Sequence, residues 1–113
     1  MAGGVITNPN IVTTHTITWT GTNTSLIRQN IRKIGVVVFM QIVFSWTDLS
    51  SDEIIFALPT ELRPRYLVEG RYVSSNSNIT VNVTINQNGN VSVNSGSVTG
   101  GGNTRINIVY PVI

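Results

Sequence analysis

The stretch "IGVVVFMQIVFSW", residues 34–46, decides the fold class, because it carries no charge and is rich in Val, Ile and Phe. These residue types favour pleated strands, and alternate residues of a strand point to opposite sides. Neither side of this strand is polar. One side carries Val36, Val38, Met40, Ile42, Phe44 and Trp46, and the other carries Val37, Phe39, Gln41, Val43 and Ser45. A strand that is apolar on both sides is typically buried on both sides.

The second side of this strand needs a cover that one small sandwich does not provide. In a sandwich of two sheets, each sheet covers only one face of the other. We therefore expect another copy of the same chain to cover the second side. The predicted interface between copies consists of Val37, Phe39, Gln41 and Val43. Gln41 is a lone amide on this side, and we expect it to pair with its own copies around a symmetry axis.

The composition extends the all-β prediction to the whole chain of 113 residues, a length that suits one domain. Val and Ile total 29, against only 2 Ala, and charged residues make up 11%, compared with roughly 25% in an ordinary domain. We expect a flexible segment or stalk remnant over residues 1–9 and a single β-sandwich over residues 10–113.

Features of export and membrane insertion are missing from the sequence. The first ten residues lack the basic start and apolar centre of a signal peptide. The longest apolar run is about half the roughly 20 residues that a membrane-spanning helix needs. Since there is no cysteine, neither a disulfide framework nor a thiolate metal site is predicted. We expect a soluble protein that does not insert into membranes.

Polar turns divide the chain into about eight strands, the pattern of an antiparallel β-sandwich or jelly roll. The predicted strands are 10–20, 25–33, 34–46, 54–58, 65–73, 78–85, 91–93 and 104–112. The Asn-Gly pair in "NQNGN", residues 86–90, predicts a hairpin. In the second strand we expect Ile27 and Ile31 to share a face, and in the fifth we expect a bulge at Gly70.

The few charges do not indicate a nucleic-acid-binding protein. The net charge is only +2, and the one dense basic group consists of Arg28, Arg32 and Lys33. Nucleic-acid-binding domains cluster Lys and Arg on one face. We interpret these three residues as a strand edge protected by charge, and we predict no nucleic-acid partner.

Catalytic and metal-binding patterns are also missing. His15, the only histidine, lies in the middle of a predicted strand, and we interpret it as structural, with glycan contact as the alternative. Asp48 and Asp52 lie in one turn, where Asp commonly bonds to its own backbone. The run "GGGN", residues 100–103, is followed by neither a helix nor a lysine, unlike a phosphate-binding loop. We predict no enzyme activity, no metal and no cofactor.

Recognition of sugars remains as a function that the residues could perform. Sugars combine hydroxyl groups with C–H patches, so their sites need planar hydrogen-bonding groups beside an aromatic or apolar face. The candidate glycan-binding residues are Trp46, Asp48, Tyr66, Arg71, Tyr72 and His15. Trp46 lies on the core side of its strand, which makes packing the alternative role. Arg71 and Tyr72 are neighbours and therefore face opposite ways, so we expect only one of them on a binding face.

Four segments occur in an order that is characteristic of a known family. They are "KIGVVVFMQIVFSWTDL", "ALPTELRP", "ITVNVTINQNGNVSV" and "INIVYPV". From Lys33 to its end, the chain resembles the C-terminal head domains of tailed-bacteriophage receptor-binding proteins and tail fibres. The most specific piece is "LPTELRP", which matches a Leu-Pro-x-x-x-Arg-Pro loop that is mainly structural in that family. We therefore interpret residues 57–66 as a rigid corner of a jelly roll, in which only Tyr66 remains a candidate for sugar contact.

The resemblance implies a homotrimeric, non-catalytic jelly-roll head that binds a host cell-wall or surface polysaccharide. It also implies that the protein is made in the host cytoplasm without a signal peptide. The head would then be carried at the tail tip of the virion, beside other phage tail or baseplate proteins. The alternative is a structural trimerisation or capping domain of a fibre or baseplate without receptor binding.

Overall fold

The computed structural model describes residues 11–49, 51–75, 77–96 and 100–112 and has eight strands in these ranges. They are β1 (Val12–His15), β2 (Thr24–Ile34), β3 (Val37–Thr47), β4 (Glu53–Ala57), β5 (Val68–Val73), β6 (Thr80–Ile85), β7 (Asn90–Asn94) and β8 (Gly101–Pro111). One turn of 3-10 helix, Thr60–Leu62, lies between β4 and β5. In the same ranges, no helix is long and apolar enough to cross a membrane. The predicted flexible segment, residues 1–9, lies outside the described residues.

The strands form two antiparallel sheets that enclose one hydrophobic core. The first sheet has the order β1-β2-β3-β8, and the second has the order β4-β7-β6-β5. The predicted all-β antiparallel sandwich of about eight strands is thereby confirmed. The chain crosses between the sheets from β3 to β4 and from β7 to β8. A jelly roll is built from two Greek keys and changes sheets more often, and that connectivity is not confirmed.

Strand β3 lies between β2 and β8 and sends one side into the core, as predicted. The buried residues of this side are Val38, Met40, Ile42, Phe44 and Trp46. The prediction that Val36 shares this side is wrong, because Val36 is 56% exposed. Residues 35 and 36 form the turn between β2 and β3, so β3 begins at Val37 and not at Ile34.

The predicted first strand, residues 10–20, is too long, since β1 ends at His15. Beyond it, the side-chain amide of Gln29 takes the place of a neighbouring strand. The Ile17 N–H donates to Gln29 Oε1 at 2.8 Å, and Gln29 Nε2 donates to the Ile17 carbonyl at 3.2 Å. Alternation of polar and apolar residues continues through this segment, so the pattern alone does not show where backbone pairing stops.

The prediction that Ile27 and Ile31 share a face is wrong because β2 contains a bulge. The register of β2 against β3 shifts between Leu26 and Arg28, which leaves Ile27 as the extra residue. A bulge inserts one residue and so reverses the alternation of faces beyond it. Ile27 is accordingly 54% exposed, whereas Ile31 is fully buried.

The predicted bulge at Gly70 is also wrong. Gly70 lies opposite Val83 in a continuous register between β5 and β6. A Cβ atom at this position would lie 2.7 Å from the ring of Tyr72. The glycine therefore makes room for an aromatic ring that covers an edge strand, a known way of shielding an edge glycine.

Residues 57–66 form a packed corner, which agrees with their interpretation from the sequence. Leu58, Leu62 and Pro64 are buried. The Arg63 Nε–H donates to the Leu58 carbonyl at 3.2 Å, and the Tyr110 hydroxyl donates to the Leu62 carbonyl at 2.7 Å. These bonds satisfy backbone carbonyls that would otherwise be buried without partners, so Arg63 serves the fold of this corner.

The predicted Asn-Gly hairpin between β6 and β7 is confirmed, and it also supports the corner. Gly89 adopts a φ of 96°, which glycine tolerates far better than other residues. Its carbonyl accepts a hydrogen bond from the Leu58 N–H at 2.8 Å. A Cβ atom on Gly89 would lie 2.5 Å from the Leu58 carbonyl oxygen, so the hairpin and the corner fit together only with glycine.

Candidate functional site

The outer face of the first sheet, which points away from the core, holds all four residues of the predicted interface. In the single chain Val37, Phe39 and Val43 are half-buried and Gln41 is exposed. Val109 lies opposite Phe39 on β8 and is 58% exposed. Among the described residues, nothing covers the second side of β3, as the sequence led us to expect of a single chain.

Polar residues share this outer face with the apolar ones, in rows set by the strand register. What we call the outer amide row consists of Asn30, Gln41 and Asn107, side by side on β2, β3 and β8. In the next row Arg28 and Arg105 flank Val43, and we call these two residues the arginine pair. The amide row and the arginine pair line a cleft of about 250 Å³.

The charge on this face has one sign. The strands β1, β2, β3 and β8 contain no Asp or Glu. Within the described ranges, no hydrogen bond or ion pair joins a side chain of the outer amide row or the arginine pair to another protein group. The cleft therefore presents donors and positive charge that the described part of the chain leaves unused.

The outer face of the second sheet carries a wider groove along β5 and β6. This groove of about 570 Å³ is lined by Arg71, Asn78, Ile79, Thr80, Asn82 and Ser95, and we call it the Arg71 groove. A neighbouring depression of about 430 Å³ shares Arg71 and Asn82 with it and adds Glu69 and Thr84. Arg71 and Asn82 lie directly opposite one another in the sheet, so the two spaces form one polar surface.

A second row of amides crosses this surface, and its members bond to one another. Asn82 Nδ2 donates to Asn94 Oδ1 at 3.1 Å, and the Gly96 N–H donates to the same oxygen at 3.1 Å. Asn94 Nδ2 in turn donates to a carboxylate oxygen of Asp52. We call Asn82, Asn94 and Asp52 the bonded amide row, and it fixes Asn82 at the floor of the Arg71 groove.

Trp46 does not belong to a sugar site, which corrects its place among the candidates. Only 2% of its surface is exposed. Its indole N–H donates to the hydroxyls of Ser74 and Thr104, at 3.0 Å in each case, and these hydroxyls lie 2.7 Å apart. No ring face is left for a sugar, so the packing role holds.

Arg71 and Tyr72 face opposite ways, as predicted, and only Arg71 lies on an outer face. Tyr72 shares its side with the inward-facing Val81, and its hydroxyl donates to the Asn107 carbonyl at 2.9 Å. Burial raises the pKa of Tyr72 above its usual value. The tyrosine thus joins the edges of the two sheets and does not reach the Arg71 groove.

The remaining candidate residues lie apart from one another. Asp48 is exposed, and its N–H donates to the Gly100 carbonyl at 2.7 Å, at the end of the sandwich where the Arg71 groove opens. Tyr66, 55% exposed, precedes β5 at the opposite end. His15 lies on the edge strand β1, where its Nε2 is 2.9 Å from the Thr13 hydroxyl. Of these three, only Asp48 bonds to a residue next to the groove lining, because a Cβ on Gly100 would lie 3.0 Å from Ile79.

Two carboxylates, those of Asp52 and Glu53, make structural hydrogen bonds. Glu53 accepts hydrogen bonds from the Thr22 hydroxyl at 2.8 Å, the Asn23 N–H at 3.0 Å and the Thr24 hydroxyl at 3.1 Å. Burial by itself raises the pKa of Glu53, but these hydrogen bonds outweigh it and hold the pKa below the usual value near 4.5. Among the described residues, no group of three or more His, Asp and Glu side chains lies close enough to hold a metal ion.

Sequence reasoning missed most residues of both polar surfaces. Asn78, Thr80 and Asn82 alternate with apolar residues in "NITVNVTI", residues 78–85, and so read simply as the solvent side of a strand. Arg28 and Arg105 are 77 positions apart in the chain and meet only through the register of β2, β3 and β8. The alternating pattern could have assigned each residue to a face, but it could not have shown which residues become neighbours.

Comparison with known proteins adds no assignment, since no protein-family model and no curated protein matches this sequence.

Proposed function

We propose that this domain is the head of a phage tail-tip adhesin, jelly-roll-like and homotrimeric, which binds a saccharide of the host cell wall or surface without cleaving it. We base this on the order of the sequence segments and on one structural observation, the Arg71 groove. As a virion component, the head would be made in the host cytoplasm and would assemble with other phage tail or baseplate proteins.

The Arg71 groove has the chemistry that saccharide recognition requires. The planar guanidinium group of Arg71 offers several donors in a fixed arrangement. The amide of Asn82 and the hydroxyl of Thr80 add donors and acceptors, and Ile79 adds an apolar patch. The volume of about 570 Å³ lies within the range of roughly 300–1,000 Å³ typical of small-molecule sites. The openness of the groove along the sheet would admit one part of a longer polysaccharide.

The uncovered side of β3 supports the homotrimer. Phe39 and Val109 form an apolar pair on the outer face of the first sheet, and apolar patches rimmed by polar residues are typical of protein–protein contacts. The Arg71 groove lies on the other sheet and would stay open in such an assembly. Three weak sites on one head, repeated over many heads, would give firm attachment without strong single contacts.

The proposed binding is tested by applying the purified protein to an array of bacterial wall and surface saccharides. We expect the wild type to bind at least one saccharide and Arg71→Gln to bind it at least tenfold more weakly. Arg32→Gln is the matched control, because it removes the same charge from the first sheet, and it should bind like the wild type. Failure of trimeric wild type to bind any saccharide, or full binding by Arg71→Gln, would contradict the proposal.

The second candidate function is a structural trimerisation or capping domain. It is favoured by the uncovered side of β3, which needs a protein partner whether or not a sugar binds elsewhere. This alternative predicts heat-resistant trimers that bind no saccharide and adsorb to no host cell. The array and a thermal unfolding experiment therefore separate the two functions.

A further inference from the structure

We propose that the arginine pair and the outer amide row form a binding site for a small oxyanion of the phosphate or sulfate class. The site lies on the outer face of the first sheet, whereas the Arg71 groove lies on the outer face of the second. It therefore goes beyond the proposed saccharide binding and does not depend on it.

The strand register brings the two arginines to one cleft. Arg28 and Arg105 lie on either side of Val43, on the strands that flank β3. Because neighbouring strands are about 4.8 Å apart, their Cα atoms are separated by about 10 Å. Two long side chains at this spacing can converge on one ion above Val43, and both of them line the cleft.

The electrostatics of the cleft favour an anion. Two guanidinium groups share a space of about 250 Å³, on a sheet whose strands contain no Asp or Glu. Like charges held this close repel each other, and a bound anion would replace that repulsion with attraction. Guanidinium groups also match the tetrahedral oxygens of phosphate and sulfate through paired N–H donors.

The amides complete a set of donors around the cleft. Asn30, Gln41 and Asn107 each carry an NH₂ group with two donors, and their side chains have no protein partner within the described ranges. The volume of about 250 Å³ lies below the range of roughly 300–1,000 Å³ typical of organic ligand sites. A compact ion or a single phosphoryl or sulfate group fits this space better than several sugar rings.

An oxyanion would also allow this face to be covered by another copy of the chain. Burying guanidinium groups that have no counter-charge is strongly unfavourable. Since the first sheet provides no carboxylate, a bound oxyanion would supply the missing negative charge at its basic end. The apolar contact of Phe39 and Val109 could then form without leaving the arginine pair unpaired.

The test is a calorimetric titration of the full chain with inorganic phosphate at constant pH and ionic strength. We expect saturable binding to the wild type and at least tenfold weaker binding to the double variant Arg28→Gln, Arg105→Gln. Arg32→Gln is the matched control, because Arg32 lies on the same strand and face but does not line the cleft, and its affinity should stay within twofold of the wild type. Absence of saturable binding to the wild type, or equal loss in the control, would overturn the proposal.

A second variant tests the site without removing either arginine. In Val43→Asp, a carboxylate would stand between the arginine pair and compete with phosphate, so we expect phosphate binding to be lost. Unchanged phosphate binding by this variant would contradict the position of the site.

The source of the oxyanion is distinguished by titrating glycerol 1-phosphate and neutral glycerol in parallel. Tighter binding of the ester than of inorganic phosphate would identify a phosphoryl group on a polyol, and the reverse order would identify the free ion. Binding of glycerol as tight as that of phosphate would overturn the oxyanion proposal. Arg71→Gln should leave all these affinities unchanged, so failure of this site and failure of the saccharide site are separate results.

Discussion

Each sheet of the sandwich exposes a row of amide side chains on its outer face, and the two rows are bonded differently. In the second sheet, Asn82 donates to Asn94, and Asn94 in turn donates to Asp52. In the first sheet, the amides of the outer amide row have no protein partner within the described ranges. Amide side chains are thus bonded to protein groups on the outer face of the second sheet, whereas on the first sheet the described residues leave their donors and acceptors unused.

The residues that surround the two rows also differ. The outer amide row lies between an apolar pair, Phe39 with Val109, and the arginine pair. The bonded amide row lies among hydroxyls and side chains of both charges, Arg71 and Glu69, and opens to a polar groove. This difference supports the two proposals, in which the first sheet would bind large or charged partners and the second sheet would bind polar ligands reversibly.

The largest effect is expected from placing a charge in the apolar part of the first outer face. Phe39→Asp should convert trimers into monomers, because a carboxylate would be buried in a contact with other copies. Sedimentation velocity measures the change. Ser92→Asp is the matched control on the outer face of the second sheet and should leave the trimer intact. A Phe39→Asp protein that keeps the trimer mass would show that this face is not the interface.

Val43→Asp extends the sedimentation experiment, because the structure predicts a smaller loss of trimer for this variant than for Phe39→Asp. Both positions belong to the interface predicted from the sequence, which alone gives no reason to expect different effects at the two. Val43, however, lies between Arg28 and Arg105, whereas Phe39 has one arginine beside it, Arg32 on β2, and Val109 on its other side. Two neighbouring guanidinium groups would neutralise the new carboxylate more fully than one. We therefore expect Val43→Asp to retain more trimer than Phe39→Asp at equal concentration, and the opposite order would contradict the position of the arginine pair.

A smaller effect is expected from removing one amide from each row. Asn94→Ala would break the bonds to Asn82, Gly96 and Asp52 and should lower the free energy of unfolding by about 1 kcal/mol. Gln41→Ala should change it by less than about 0.5 kcal/mol, as for a surface residue without partners. Urea denaturation in the monomeric Phe39→Asp background measures both values. Equal losses would mean that the two rows do not differ in the single chain.

The smallest effect is a change in melting temperature on replacing Glu53, whose carboxylate joins the loop before β2 to the second sheet. Because the pKa of Glu53 is lower in the folded protein than its usual value near 4.5, its bonds stabilise the fold above that pH, and the contribution is lost as the pH falls through the lowered pKa. The melting temperature of Glu53→Gln should be below that of the wild type at neutral pH, and the difference should shrink in acid. A difference that is constant with pH would contradict the lowered pKa.

Much of the fold could be predicted from the sequence, because buried apolar residues alternate with exposed polar residues along most strands. The inner side of β3 and the Asn-Gly hairpin follow from local patterns. The errors at Ile17, Ile27 and Gly70 have different causes, none of which the alternation of polar and apolar residues reveals. Gln29 ends the pairing of β1, a bulge shifts β2, and the ring of Tyr72 explains Gly70.

The candidate sites were less predictable, because they depend on which residues become neighbours in the folded chain. Arg71 could be singled out because its planar hydrogen-bonding group suits sugars, and its separation from Tyr72 follows from alternation. Trp46 was a candidate because aromatic residues suit sugars, but the hydroxyls of Ser74 and Thr104, which satisfy its indole N–H, come from distant parts of the chain. The cleft of the arginine pair depends on the register of three strands, which a single sequence does not specify.

The most direct test is to determine whether the uncovered outer face of the first sheet is completed by other copies of the chain. Static light scattering of the wild-type chain over a range of dilutions measures this. We predict a particle of three times the chain mass of 12.3 kDa that persists on dilution. A mass of one chain at every concentration, with and without phosphate, would contradict this account of the first sheet.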